Sequence, residues 1–238
     1  MKKRSVVQRI HRWLALLLGA QVVLWMLSGV FMSWFHINLV RGETNSSVDF
    51  PTELLARNYA APGGVIAQMD FVTDVRLTTF LGKPVYQVTD SNGVALFSAS
   101  TSARISPISK SQAQEVAETD FIGDGEVVSV ERLIDPPGEY RGKKPVWRVT
   151  FDDRLSTRIY ISPDTGEISA RRNVIWRVYD FFWMLHIMDY GDRENFNNPL
   201  VRAASVTGLL FAGSGLFLLI IRLRNNRFAD DINRIKSN

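Results

Sequence analysis

The sequence predicts an α+β region of two similar units, each a short helix plus antiparallel strands, carried on a two-helix membrane anchor with an interfacial amphipathic helix before the second span. Three observations predict it. Two long uncharged apolar runs lie toward the chain ends, the residues between them are rich in charge and turn signals, and one seven-residue phrase occurs twice in that middle region.

The first run, WLALLLGAQVVLWMLSGVFMSWF from Trp13 to Phe35, holds 23 residues without a charge. At ~1.5 Å per residue such a helix is about 34 Å long, against a hydrocarbon core of ~30 Å. The preceding MKKR resembles the basic start of a signal peptide, but the run exceeds the usual ~7–15 residues and no small-x-small cleavage site follows. It is therefore read as an uncleaved anchor over residues 13–36, with Trp13 and Trp34 at the two interfaces. The second run, Ala203 to Ile221, is uncharged over 19 residues, and Asn198 as N-cap with Pro199 as first helical residue sets the second span at 199–222.

Charge orients both spans. Lys2, Lys3, Arg4, Arg9 and Arg12 precede the first, and Arg222, Arg224, Arg227, Arg234 and Lys236 follow the second. The positive-inside rule then makes both termini, 1–12 and 223–238, cytoplasmic, and puts residues 37–198 outside. Ten of the 28 basic residues serve this purpose, so the net charge of +4 needs no nucleic acid to explain it, and the partner the two spans imply is the lipid bilayer. With no cysteine, disulfides and thiolate metal sites are excluded.

In the middle region KPVYQVT (83–89) returns as KPVWRVT (144–150), 61 residues later with five of seven positions identical. Each copy runs on through a turn, DSNG or DDRLS, into an alternating segment. Upstream of the second copy, Ala113, Val116 and Ala117 recur at helical spacing in SKSQAQEVAETDF, with Ser109 or Ser111 as N-cap. The counterpart helix of the first copy is PTELLARNYA from Pro51, more degenerate. The repeats are bounded at 51–109 and 110–172, with 37–50 as a linker and 173–198 as interfacial helix and turn. Val174 to Tyr190 is too short to span, and Arg177 and Asp180 would each cost ~2.5–3.5 kcal/mol in hydrocarbon; it is read as an amphipathic helix on the outer leaflet, those two residues forming a solvated i,i+3 pair. DPPG (135–138) and SPDTGE (162–167) are turns. Ala204, Gly208, Ala212 and Gly215, with Gly19, Ser28 and Gly29 on the first run, form small-residue stripes that serve span packing or a homodimer seam.

A helix opening SxxQAxxxA, a strand of the VWRV kind and the segment IYISPDTGEI resemble the PepSY domain. RIHRWLALLLGAQVVLWMLSGVFMSW and LHIMDYGDRENFNNPL resemble the transmembrane segments associated with it, and the likeness covers nearly the whole chain. It implies a bacterial inner-membrane protein. Soluble members are tied to protease propeptides and inhibition, so the extracytoplasmic repeats are expected to bind or regulate a protein or peptide partner. Larger relatives carry more spans and reduce ferric siderophores through histidine-held membrane haem, some with fused flavin and nicotinamide reductase domains. The alternative is thus a haem-b electron-transfer component linked to iron or flavin reduction, working in a complex with a separate reductase.

The candidate haem ligands are His36, His186 and His11, the only histidines. His11 and His36 are 25 residues apart, so they leave one helix face, about 37 Å apart along its axis. His186 lies 13 residues before Pro199 and so on the same outer side as His36. Two neutral imidazoles from different helices supply the axial ligands of a b-type haem, with Phe181, Phe182, Trp183, Met184 and Phe35 packing the porphyrin. Equally, a histidine at the end of an apolar helix is an ordinary interfacial residue. His11 has no inner-side partner in the chain, so a second haem needs a dimer. No nucleophile elbow, phosphate loop or histidine–acid pair occurs, so no catalytic residue and no metal other than haem iron is assigned.

Overall fold

The computed structural model describes residues 2–47 and 59–236, excluding the side chains of residues 2–12 and 14 and of most positions beyond residue 213. The first repeat's helix from Pro51 lies outside the described residues up to residue 58. The chain is α+β with antiparallel sheets and a long apolar helix at its start, and it divides into two compact units, Met1–Trp34 with Asp180–Asn238, and Phe35–Tyr179.

The first unit contains α1 (Lys2–Trp34), the C-terminal part of α5 (Val174–Ile187) and α6 (Pro199–Lys236). Within α1 the stretch Ala15–Trp34 is long and apolar enough to cross a membrane and is 6% buried. Its buried side follows helical spacing, with Ser28 fully inaccessible while Leu24, Leu27 and Val30 are exposed. α6 begins as the sequence predicts. Asn198 Oδ1 accepts the Val201 N–H at 2.9 Å, and Pro199 occupies the first turn, where its missing N–H costs nothing.

The second unit holds two antiparallel sheets. After α2 (Ile37–Arg41) and α3 (Gly63–Ile66), strands β1 (Asp74–Phe80), β2 (Lys83–Asp90) and β3 (Gly93–Ser98) form a sheet in that order. The β2–β3 hairpin closes because Asp90 Oδ1 accepts the N–H groups of Asn92 and Gly93 at 2.7 and 2.8 Å. Val65, Tyr86, Val88, Ala95, Phe97 and Ala99 make its core. Helix α4 (Lys110–Asp120) then packs on a second sheet of β4 (Val127–Leu133), β5 (Val146–Phe151), β6 (Arg158–Ile161) and β7 (Ile168–Arg172), again in chain order. Ser109 is its N-cap, in a reciprocal capping box with Gln112. Ala113 and Ala117, both fully buried, allow close approach to Val149, Ile159 and Ile161, and Phe121 stacks on Phe151 at 4.1 Å. A second cluster of that sheet is formed by Tyr140, Val146 and Tyr160, the two rings stacked at 4.7 Å.

Residues 37–46, read from sequence as part of a linker, are structured. Val40 is buried, Gly42 caps α2 at φ +71°, and Ser46 bridges to Phe121. A Cβ on Gly42 would lie 3.2 Å from the Arg171 Cβ, so the backbone passes closer to β7 than a side chain would permit. SPDTGE is the β6–β7 turn, with Gly166 at φ +68° beneath the Phe80 ring. Tyr86 stands opposite Leu77 and Phe97 on β2, and Trp147 opposite Arg132 and Ile161 on β5. Tyr86 is buried; Trp147 is half-buried, its indole N–H donating to the Ile108 carbonyl at 3.2 Å.

Candidate functional site

In the first unit the end of α5 lies against α1, and His186 is the point of contact. The Trp25 indole N–H donates to the His186 carbonyl at 2.9 Å, Ser28 Oγ lies 2.9 Å from His186 Nδ1, and Phe31 stacks on Phe182 at 4.3 Å. Ser28 Oγ is also 3.0 Å from the Trp25 carbonyl. A hydroxyl has one hydrogen, and a carbonyl can only accept. Both contacts are hydrogen bonds only if Ser28 donates to Trp25 and accepts from His186 Nδ1–H. The neutral imidazole is then the Nδ1–H tautomer, with an acceptor lone pair on Nε2, which has no hydrogen-bond partner among the described residues.

The turn after α5 is fixed by its polar residues. Asp189 accepts backbone N–H groups from Asn195 at 2.9 Å and Glu194 at 3.1 Å, and these, the Asn195 bond foremost, hold its carboxyl below the usual carboxylate range. Asn198 Nδ2 donates to the Ile187 and Asn195 carbonyls, both at 2.8 Å. Beside His186 opens a mostly apolar cavity of about 880 Å³. Trp25, Met26, Gly29, Val30 and Ser33 of α1 line one wall, Trp183, His186 and Ile187 another, and Phe196, Val201 and Ser205 complete it.

The structure therefore joins His186 to Ser28 and Trp25, two partners the sequence reading did not assign to it. Ser28 registered there only as a small residue, since a serine inside an apolar run signals close packing as readily as a hydrogen bond. Of the aromatics expected around a porphyrin, Trp183 lines the cavity, while Phe182 is engaged with Phe31 and meets Phe181 edge-on. His36 belongs to the second unit, where it is the exposed N-cap of α2 and its Nδ1 accepts the Asn38 N–H at 3.4 Å. His11 falls within α1, its side chain outside the described residues. Arg177 and Asp180, expected as a solvated pair with each other, each engage a further partner. Arg177 Nε donates to Glu139 Oε2 at 2.8 Å and Asp180 accepts from Arg193 at 2.6 Å, because an exposed i,i+3 pair is worth little beside a buried carboxylate in need of a donor.

In the second unit, the helix-on-sheet layer from α4 to β7 spans residues 110–172. A family model described as the peptidase propeptide and YPEB domain, PepSY, matches residues 107–172, the same segment with its capping turn. The chain carries a PepSY domain. No curated protein and no solved structure matches the chain significantly.

Two features of the PepSY domain carry chemistry. The first is Glu139, in the loop between β4 and β5. Its Oε1 accepts from Tyr160 at 2.6 Å and Arg158 at 2.9 Å, its Oε2 from Arg177, and its backbone carbonyl from Arg172 Nε at 2.7 Å. Burial would raise the carboxyl pKa, but the bonds from Tyr160, Arg158 and Arg177 outweigh it and hold the value at about 2. Burial and the same carboxylate push the Tyr160 hydroxyl well above its ordinary value. The loop is thereby locked to the sheet. The second feature is β4, an edge strand that among the described residues pairs only with β5 and carries a bulge between Val127 and Ser129. Val128 at this bulge is 60% exposed, and Ile134 just past the strand is 79% exposed.

Proposed function

We propose that this protein is a membrane-anchored PepSY module whose extracytoplasmic unit binds a protein or peptide partner by accepting an extended segment on the β4 edge. The observation that carries the reading is the β4 edge, free among the described residues and flanked by exposed Val128 and Ile134 in the domain that the family comparison matches. A partner strand gains affinity from main-chain hydrogen bonds, and the two apolar side chains select what lies beside them. The peptidase propeptide in the family's description makes a peptidase or a peptide the partner class. A photo-crosslinking residue placed at Val128, and for comparison at Arg76 on the β1 edge, tests this in intact membranes. Adducts with one discrete partner from Val128 alone are expected; no adduct, or equal adducts from both edges, would overturn the reading.

Two structural expectations accompany it. The uncharged run 203–221 lies inside the single helix α6, which supports a second crossing with both basic termini on the cytoplasmic side of a bacterial inner membrane. KPVYQVT falls on β2 and KPVWRVT runs into β5, the second strand of each sheet, which supports two units of common design.

A haem-b component is a second reading, favoured by the His186 cavity. Its residues fit one axial bond, since Nε2 is the unprotonated nitrogen, Nδ1–H is held by Ser28, and the walls are largely apolar. Haem held there would supply one-electron transfer. Among the described residues of that unit His186 is the histidine at the cavity, and the expected second ligand, His36, is in the other unit. Protein purified gently from haem-replete cells should show an intense Soret band that His186→Ala abolishes; a colourless wild type would remove this reading.

A further inference from the structure

We propose that the cavity beside His186 is a binding site for a lipid-dissolved quinol or related phenol, received by His186 Nε2 as a hydrogen-bond acceptor and positioned by Ser28. This goes beyond the binding-module reading and rests only on α1 lying in a bilayer.

The occupant is inferred from which polar groups at the cavity are already engaged. The Trp25 indole N–H is taken by the His186 carbonyl, that of Trp183 by the Arg193 carbonyl at 3.1 Å, and the Ser33 hydroxyl donates to Val30 at 2.9 Å. Both indoles therefore offer ring surface and no donor. His186 Nε2 remains as an acceptor, beside the exposed Ser205 hydroxyl, and the Ser28 bond keeps it one by holding the proton on Nδ1. An ion is disfavoured in such a mostly apolar space, because it would lose its hydration without a counter-charge. What fits is an apolar body bearing a hydroxyl that donates one hydrogen bond. The flat indoles favour an aromatic ring over an acyl chain, and a phenolic hydroxyl is a better donor than an alkyl one. The volume of about 880 Å³ is within the range of sites for molecules of a ring and part of a tail. Gly29 on the α1 wall has nothing within 4 Å of where its Cβ would stand, which leaves room against the helix backbone.

The test uses the full chain in lipid nanodiscs with ¹⁵N-labelled histidine rings, titrated with 2-decylhydroquinone and, separately, with its bis-methyl ether. His186 is assigned by loss of its signals in His186→Gln. In wild type the His186 ring should give a protonated Nδ1 and an unprotonated Nε2, and the quinol should shift the Nε2 signal saturably while the ether does not. Ser28→Ala should free the tautomer and weaken quinol binding by about tenfold, the worth of one hydrogen bond, and Ser28→Thr should restore both. A wild-type ring protonated at Nε2 would overturn the proposal. So would equal responses to quinol and ether, which would make the cavity a place for bulk lipid, or a Soret band from haem already seated on His186. The quinol comparison is made on the wild-type chain, so it decides the matter even if a variant fails to fold.

Discussion

Glu139 shows how a single residue can tie a loop to a sheet. Its carboxylate takes hydrogen bonds from Tyr160, Arg158 and Arg177, which burial in that position requires, since an unpaired carboxylate there would neutralise. The sign of its pH effect follows from the direction of the shift. A carboxyl held at about 2 in the fold and near 4.5 when unfolded stabilises fully above pH 4.5, and that stabilisation is lost as pH falls from 4.5 toward 2. Glu139→Gln should cost about 2–3 kcal/mol at neutral pH, because two arginines lose their counter-charge, and should flatten the acid limb of the stability curve. Hydrogen exchange of β6 across pH 2.5 to 7 measures both. An acid limb unchanged in the variant would assign it to other carboxylates.

At the scale of elements, helix ends and turns settle where the apolar runs stop. Asn198 has three tasks at once, capping α6 through Oδ1 and bonding the Ile187 and Asn195 carbonyls through Nδ2. Asn198→Ala should therefore cost more than an ordinary cap, about 2 kcal/mol or somewhat above, where Asn198→Asp retains the cap but loses the Nδ2 bonds and should fall between. Hydrogen exchange of the first turn of α6 is the readout, and equal protection in all three proteins would deny Asn198 this role. The cap was legible in the sequence as Asn-Pro before an apolar run. The Nδ2 bonds were not, because they reach Ile187 and Asn195, 11 and 3 residues back, through a turn whose path the local pattern does not specify.

At the scale of the whole molecule, the proposed topology makes a simple demand. A reporter fused after Asn238 and one inserted between Ser91 and Gly93 should report opposite sides of the membrane, the first cytoplasmic. Matching sides would remove the second crossing. The demand rests on the basic flanks and on α6 running unbroken from Pro199 to Lys236.

By itself the sequence determined what depends on neighbours along the chain. Twenty successive uncharged, mostly apolar residues must form a helix in lipid to satisfy their backbone, Ser109 with Gln112 must start α4, and alternation about KPVYQVT and KPVWRVT must give strands. Even the PepSY likeness was legible, because its helix, strands and turn are consecutive in sequence. Tertiary structure decided what depends on distance. Arg177 and Asp180, neighbours on one helix, engage Glu139 and Arg193 beyond that helix, and residues 37–46 acquired structure through Val40 and the close pass of Gly42 at Arg171. His186 is the clearest case. Local pattern marked it as a histidine at the end of an apolar helix, but its tautomer and its free nitrogen come from Ser28, 158 residues away, since a ring proton is placed by whichever group folding brings to it.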